Sequence, residues 1–202
     1  MRADDFTTQQ FTWFTGIVEN ITDPSKLNRV KVRCLGYHTT DTKILPTGKL
    51  PWATVIMPVT SASIKGNGGN HHLEVDSWVV GFFRDGPSAQ DPMVMGSVAT
   101  QTPTGKVDAK DKPIFDQDIP STSSTTNKVH HTKAGHKIEF ENKDGDEKIT
   151  VQHAKGAKIT IDKDNNVSIT NSGTTKIDSD GSIDITSSNI ITLKSSVKTT
   201  VI

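Results

Sequence analysis

The sequence predicts an all-β protein with two structurally different halves, and three observations support this prediction. Thr and Ser occupy 44 of the 202 positions, and hydroxyl side chains favour strands and turns over helix interiors. Only 32% of the residues are hydrophobic, which is below the share of an average globular protein. Nine of the 11 aromatic residues precede residue 84, so a compact core is expected only in the first half.

The first half contains five predicted strands separated by turn-forming residues. The second strand is the clearest, because its apolar and cationic residues alternate, which predicts an inner apolar face and an outer cationic face. The apolar residues are Val30, Val32 and Cys34, and the cations are Arg29, Lys31 and Arg33. Five short strands in about 90 residues suit a small closed barrel such as the OB-fold. The predicted strands are Phe11–Ile21, Arg29–Leu35, Trp52–Pro58, Trp78–Phe83 and Met93–Val98.

A change in composition predicts three segments along the chain. We expect residues 1–102 to form the OB-fold domain, residues 103–132 an extended linker and residues 133–202 a repetitive spike domain. The linker is predicted because three prolines punctuate a short stretch rich in Lys, Asp, Ser and Thr.

An eight-residue repeat dominates the last segment. Two phases that start at Ile159 and Ile161 and advance by eight residues hold an apolar residue at ten of twelve positions, far more than this composition predicts. A third phase holds Asn or Gly at four successive positions, Asn165, Gly173, Gly181 and Asn189, and these residues tolerate a positive φ angle and mark turns. Each octad is therefore interpreted as a short strand with two inward side chains and a polar corner. Two earlier pairs extend the pattern, with spacings of 11 and 10 residues: Ile138 with Phe140, and Ile149 with Val151.

The octads predict an assembly of several chains. Six octads from one chain would make only about two turns of a triangular solenoid, whereas three chains that each supply one side would form a longer prism. We therefore expect an obligate homotrimer with a shared aliphatic core. The predicted trimer core consists of Ile138, Phe140, Ile149, Val151, Ile159, Ile161, Val167, Ile169, Ile177, Ile183, Ile185, Ile191, Leu193 and Val201.

Charge and hydropathy argue against several classes of protein. The chain has 23 basic and 23 acidic side chains, and their even distribution over both halves argues against nucleic-acid binding. Because the sequence has neither a signal peptide nor a long apolar run, we expect a soluble protein made in the cytoplasm.

Residues that could carry chemistry have simpler structural explanations. Cys34 lies on the inner face of its strand and is expected to be a buried thiol, and residues 66–69 lack the lysine of a phosphate-binding loop. His130 and His131 point to opposite sides of an extended chain, and Asp162 starts only part of a calcium loop. We therefore predict no catalytic residue, no cofactor and no metal site.

The order of several short motifs resembles the central baseplate spike of contractile-tailed phages, in particular T-even-like phages. The barrel motifs are Trp13–Asn20, Asp23-Pro24, Leu27, Arg29–Arg33, Lys49–Trp52, Val55-Ile56, Pro58–Ser63, Gly66–Gly69, Gly81–Phe83 and Gly96–Val98. Residues 135–142 and the octads are similar to the intertwined triple-stranded β-helix of the same spikes. Baseplate assembly protein V and the spikes of type VI secretion are related families.

The resemblance implies a structural role in the virion tail baseplate. Such a trimer docks on a hub protein at the end of the tail tube, and sheath contraction drives it through the host outer membrane. T-even spikes carry a lysozyme domain between the barrel and the β-helix, but residues 103–132 are too few for one, so we expect no enzymatic activity. The sequence stops on an apolar pair, Val201 and Ile202, where a small tip protein is expected to bind.

Three alternatives stay open on the sequence alone. The chain could be the spike of a type VI secretion or extracellular contractile injection system, an OB module that binds glycan or nucleic acid on a trimeric stalk, or a muralytic enzyme. Exposed aromatic residues interleaved with Arg on one barrel face would favour the second alternative.

Overall fold

The computed structural model describes residues 12–107, 109–111, 113–117, 126–192 and 194. The chain divides into two compact units, with the boundary between residues 121 and 122. The described elements are strands, apart from two short 3₁₀ turns at Thr47–Lys49 and Gly86–Ser88. Within the described ranges, no helix is long and apolar enough to cross a membrane. The predicted all-β class is therefore confirmed.

The first unit contains a closed barrel with the strand order β1-β2-β3-β5-β4. Neighbouring strands are antiparallel except β3 and β5, which run parallel. Five strands closed into a small barrel form the OB-fold architecture, as the sequence predicts. The strands are β1 Thr12–Asn20, β2 Val30–Cys34, β3 Trp52–Val55, β4 Trp78–Phe83 and β5 Pro92–Val98.

The barrel core consists of side chains that alternate inward from these strands. Its fully or almost fully buried members are Phe14, Val18, Val30, Val32, Cys34, Ala53, Val79, Phe83 and Val94. Burial raises the pKa of the Cys34 thiol to about 12, which keeps the group neutral, so the interpretation as a core thiol is confirmed. Gly81 allows β4 and β5 to approach closely, because a Cβ atom at this position would overlap the carbonyl oxygen of Met93.

The segment for which we expect an extended linker contains strands. β6 (Gln101–Val107) and β7 (Pro113–Gln117) form a two-stranded antiparallel hairpin. Prolines favoured the linker prediction, yet both strands of a two-stranded hairpin are edge strands, and an edge strand tolerates a residue without an N–H group. The domain boundaries predicted at residues 102/103 and 132/133 stay a prediction.

The second unit contains a five-stranded antiparallel meander in which each strand pairs with the next along the chain. Its first turn contains Gly135, and its last contains Asn165 with a φ angle of 63°, one of the positions predicted to be a corner. The strands are β8 Lys128–His131, β9 Lys137–Glu141, β10 Lys148–Gln152, β11 Lys158–Asp162 and β12 Val167–Thr170. The predicted triple-stranded β-helix would require further chains and stays a prediction.

Candidate assembly surface

One side of the meander is an exposed sheet of aliphatic side chains, which we call the apolar face. The strand register aligns its eight residues in two rows, each of which crosses four strands. The side chains are 38–66% exposed, although residues of this type are normally buried. The first row is Phe140, Ile149, Ile161 and Val167, and the second is Ile138, Val151, Ile159 and Ile169.

The opposite side of the meander is polar and forms its own contacts. Glu139 accepts a hydrogen bond of 2.7 Å from Lys137 and one of 3.1 Å from Asn127, and the bond from Lys137 lowers the pKa of the Glu139 carboxyl. Thr150, in the middle of this side, is buried. The polar side is therefore supported within one chain, while the apolar face is left about half exposed.

Residues 171–192, which we call the octad segment, continue the two apolar phases beyond β12. Ile177, Ile183, Ile185 and Ile191 are 50–69% exposed. Among the described residues, no backbone-to-backbone hydrogen bond involves the octad segment, and it contains no strand. Described backbone without a ladder partner thus lies next to exposed isoleucines, an arrangement typical of an interaction surface.

The octad corners are closed by side chains of the same chain. The amide of Gly181 donates to the Ser179 hydroxyl at 3.1 Å, and the amide of Asn189 donates to the Ser187 hydroxyl at 3.2 Å. At the earlier corner around Asn165, the Asp162 carboxylate accepts bonds from the backbone of Asp164 and Asn166. These local bonds are typical of turn-forming residues. They also use the carboxylate that sequence reasoning weighed as part of a calcium loop.

Twelve of the fourteen predicted core residues lie in the described part of the chain, and all twelve are exposed apolar side chains there. Leu193, Val201 and Ile202 lie outside the described residues. His130 pairs with Ile138 and His131 with Lys137, so the two histidines lie on opposite sides of the sheet. Within the described ranges, no group of three or more His, Cys, Asp or Glu side chains is arranged to hold a metal ion.

The barrel contains a polar network that sequence reasoning missed, which we call the Arg33 network. The cations of β2 were expected to face solvent, but Arg33 is only 4% exposed and Lys31 only 7%. Arg33 forms an ion pair with Glu19 and donates to the carbonyl oxygens of Thr39 at 2.6 Å and Leu45 at 2.9 Å. These bonds fasten the loop after β2 over the outer face of the barrel, and this loop buries the cations.

Glu19 is held in this network from both sides. It lies at the register irregularity between Val18 and Asn20 in the pairing of β1 with β2, a position at which a strand can redirect a side chain. The bond from Arg33 lowers the pKa of the Glu19 carboxyl, and a 2.6 Å bond from the Thr47 hydroxyl acts in the same direction. The sequence offered one signal for this pair, an acidic residue in the strand predicted next to Arg33.

Arg29, which directly precedes β2, and Lys31 within it are also engaged. Arg29 forms a two-pronged pair with Asp23 at 2.8 and 2.9 Å, which holds the pKa of the Asp23 carboxyl well below its ordinary range. Lys31 donates to the carbonyl oxygen of Gly48 at 2.5 Å and lies 5.0 Å from the centre of the Trp52 ring. A nucleic-acid-binding face needs cations that are free to contact phosphates, so this arrangement disfavours that alternative.

A second surface of the barrel is an open groove of about 970 Å³ beside β5. Its apolar lining includes Ile56, Val75, Met95 and Val98, all of which are 39–48% exposed. The groove lies within the first unit and is bounded by residues 69–78 on one side. The barrel thus presents one closed polar surface and one open apolar surface.

Comparison with known families finds a match that begins in the loop after β2. A family model described as the Gp5 N-terminal OB domain matches residues 36–180, which is more than half of the chain. The chain belongs to this family. The Gp5 OB family match continues beyond the barrel into the octad segment, and it confirms the resemblance inferred from the sequence motifs.

Two curated phage proteins are similar to this member of the Gp5 OB family. The pre-baseplate central spike protein Gp5 of Enterobacteria phage T4 is 46% identical over 79 residues, which are 36% of this chain and 14% of the relative. Protein Gp5 of Vibrio phage KVP40 is 36% identical over 109 residues, which are 50% of this chain and 26% of the relative. The aligned region therefore spans about a quarter or less of each relative.

Proposed function

We propose that this chain is a structural, non-enzymatic spike protein of a contractile phage-tail baseplate and that it works as a homotrimer. Membership of the Gp5 OB family supports this proposal, as does similarity to a T4 protein described as a pre-baseplate central spike protein. The virion tail baseplate is therefore where we expect the protein to reside.

The observation that carries the proposal is the continuous apolar pattern of the second unit. Eight aliphatic and aromatic side chains form the exposed apolar face, and four isoleucines continue its phases into a segment whose described backbone has no ladder partner. Exposed apolar surface on this scale marks an interaction site. Because the apolar pattern repeats along the chain, another copy of the same chain presents a matching apolar residue at each repeat.

Burial of the apolar face would make a large favourable contribution to association. Full burial of one such side chain is worth roughly 1.5–3 kcal/mol, and the side chains of the apolar face are about half exposed. Covering these eight residues would then contribute about 6–12 kcal/mol per chain. A micromolar dissociation constant corresponds to a net free energy of about 8 kcal/mol, and association also costs several kcal/mol in lost freedom of motion. The apolar face therefore supplies a large part of the free energy that a stable assembly needs, and the octad isoleucines supply more.

A trimer of this kind suits a mechanical task. Three interlocked chains leave no free sheet edges, and unfolding requires all three to separate, which gives high kinetic stability. We propose that the barrel end docks on a hub protein of the tail tube and that sheath contraction drives the rod through the host outer membrane. No cofactor is needed for this action.

The absence of enzymatic activity is part of the proposal. Two described carboxylates of the meander are engaged in structural contacts, Glu139 with Lys137 and Asp162 with Asn166. Paired carboxylates for glycoside hydrolysis require a concave site with a separation suited to the reaction. Hydrolysis of purified peptidoglycan by the wild-type protein, above the rate of a heat-denatured sample, would overturn this part of the proposal.

The trimer is tested by mass and shape. Light scattering of the full chain at micromolar concentration is expected to give three times the 21.9 kDa mass of one chain. Electron microscopy is expected to show a three-fold rod with a knob at one end. A folded monomer at the same concentration would contradict the proposal.

A separate experiment addresses the binding of a small tip protein. We propose that a small tip protein binds the apolar pair Val201 and Ile202. Co-expression with the products of small tail genes encoded beside this one is expected to yield one that co-purifies with wild-type protein and is lost when both residues are changed to Asp. If none binds the wild-type protein, the tip proposal fails while the trimer proposal stands.

The phage assignment is favoured over a bacterial injection system because both curated relatives are phage proteins. An antibody to this chain is expected to label the baseplate of purified virions. Labelling of a cell-anchored bacterial apparatus instead would support a type VI or extracellular injection spike.

A further inference from the structure

Two turns at one end of the meander lie against each other. They join β8 to β9 and β10 to β11, and the ring centres of His136 and His153 are 4.5 Å apart. The amide of Ala154 in one turn donates a 3.3 Å hydrogen bond to Nδ1 of His136 in the other. Gly135 and Gly156 give the two turns similar positive φ angles of 90° and 97°. The pair of turns is therefore held in one arrangement.

Every acidic or basic side chain at this end is a lysine or a histidine. Residues 131–137 and 152–158, which we call the basic end, contain no Asp or Glu. The strand register places His131, Lys137 and Lys158 in one row across the sheet. The basic end gathers four lysines and three histidines, which are Lys133, Lys137, Lys155, Lys158, His131, His136 and His153.

The opposite end of the same strands has the opposite charge. Residues 141–148 and 162–166, which we call the acidic end, hold six acidic side chains and three lysines. Two of these lysines form ion pairs in the turns, Lys143 with Asp146 and Lys163 with Asp164. Because the whole chain has equal numbers of basic and acidic side chains, the separation of charge arises from the way the strands fold against one another.

Lys155 and Lys158 are accessible cations of the basic end. Both side chains are exposed, and among the described residues neither forms an ion pair with a carboxylate. Lys158 lies on the polar side of the meander, because Ile159 and Ile161 alternate with it on the apolar face. The proposed homotrimer buries the apolar face and leaves the polar side outward, so this cation stays exposed in the assembly.

The composition of the basic end indicates which kind of anion it fits. It contains no Phe, Tyr or Trp, the side chains on which nucleic-acid bases stack. It also contains no Arg, the residue that suits two-pronged pairing with a carboxylate of a protein partner. Lysines are flexible point charges, and a cluster of them binds a surface of anionic lipid headgroups with a gain of about fivefold per lysine.

We propose that the basic end is a contact site for phosphate-bearing lipid headgroups on the outer surface of the spike. Its lysines contact the phosphates, while the acidic end is repelled by them, so each chain presents one side to the headgroups. This inference rests on the proposed homotrimer, which displays three basic ends, and it assigns the proposed membrane contact to Lys155, Lys158 and their neighbours.

The test is sedimentation of the full chain with vesicles. Anionic vesicles contain phosphatidylglycerol and phosphatidylcholine, and neutral vesicles contain phosphatidylcholine alone. The first variant, Lys155→Gln with Lys158→Gln, removes two charges from the basic end. The matched control, Lys143→Gln with Lys163→Gln, removes the same charge from two turns of the acidic end. Light scattering and circular dichroism verify the oligomeric state and the fold of each protein.

The wild-type protein is expected to bind anionic vesicles and not neutral ones. Its binding is expected to weaken as salt is added, because salt screens the charges. The first variant is expected to bind anionic vesicles about 25-fold more weakly, since two lysines contribute about fivefold each. The control is expected to stay within about threefold of the wild-type protein, because its charges lie away from the contact.

The outcomes separate this inference from the proposed function. Equal losses in the two variants, equal binding to both kinds of vesicle or no binding to either would refute the lipid contact and leave the homotrimer intact. Binding to a DNA duplex that is lost in the first variant, without binding to vesicles, would also refute it and assign the basic end to nucleic acid. A monomeric wild-type protein would refute the homotrimer, while the comparison of the two variants would still decide the lipid contact.

Discussion

The Arg33 network provides the sharpest test of how the barrel is stabilised. Replacing Arg33 with Met keeps most of the aliphatic stem and removes the guanidinium group. The carbonyl oxygens of Thr39 and Leu45 then lose their donor, and Glu19 loses its ion-pair partner. An unsatisfied buried acceptor costs about 1–3 kcal/mol, and breaking a buried ion pair costs about 3–5 kcal/mol.

Because Glu19 is partly exposed, the expected loss in the free energy of unfolding is smaller than the sum of these costs. Its side chain is 20% exposed, so water replaces part of the lost contact, and we expect a loss of about 2–4 kcal/mol in the free energy of unfolding. For a domain of this size, that corresponds to a fall in Tm of about 10–20 °C. All three tryptophans lie in the barrel, so their fluorescence during thermal and urea unfolding reports the barrel selectively.

A second arginine on the same barrel serves as the matched control. Arg84 pairs with Asp91, but the side chains of this pair are 24% and 36% exposed, so Arg84→Met is expected to cost no more than about 1 kcal/mol. A loss below about 1 kcal/mol for Arg33→Met, or equal losses for both variants, would refute the role assigned to the network.

Three further predictions concern the barrel. Gly81→Ala forces a Cβ atom against the Met93 carbonyl oxygen and should cost about 1–3 kcal/mol by urea unfolding, whereas Gly96→Ala, with open space at its Cβ position, should change stability little. The pKa of the Glu19 carboxyl in the folded protein lies below its ordinary 4.5. The stability that ionised Glu19 contributes is therefore present above pH 4.5 and is lost as the pH falls through the lower pKa of the folded protein. Glu19→Gln should weaken this pH dependence of Tm. An unchanged profile of Tm against pH would contradict the assignment of the dependence to Glu19. Cys34, buried and with its pKa raised to about 12, should react with a thiol reagent at pH 8 only after unfolding; rapid labelling of the folded protein would contradict this.

The barrel strands could be predicted because each combines a local pattern with a clear boundary. β4 begins and ends at the predicted residues, and β3 ends at Val55 because the chain then leaves the sheet. The hairpin of β6 and β7 could not be predicted from the same signals, since proline normally argues against a strand. Only the pairing of two edge strands explains why the prolines are accommodated there.

The assembly surface was predictable to the extent that it is periodic. The octad phases place Ile159, Ile161, Val167 and Ile169 on one side, and the sheet register shows them on that side. The Arg33 network could not be found in this way, because its members come from a strand, a register irregularity and a distant loop. No local pattern encodes that the loop after β2 folds back over the barrel.

By itself, the sequence determined the all-β class, the barrel strands, the family resemblance and the side of each strand that is apolar. These properties follow from periodicity and composition, which act over a few residues. The tertiary structure alone decided that the cations of β2 are buried, because a loop supplies their acceptors. It also decided that residues 128–170 pair within one chain while the described backbone of residues 171–192 does not, because backbone pairing depends on which strands meet in space.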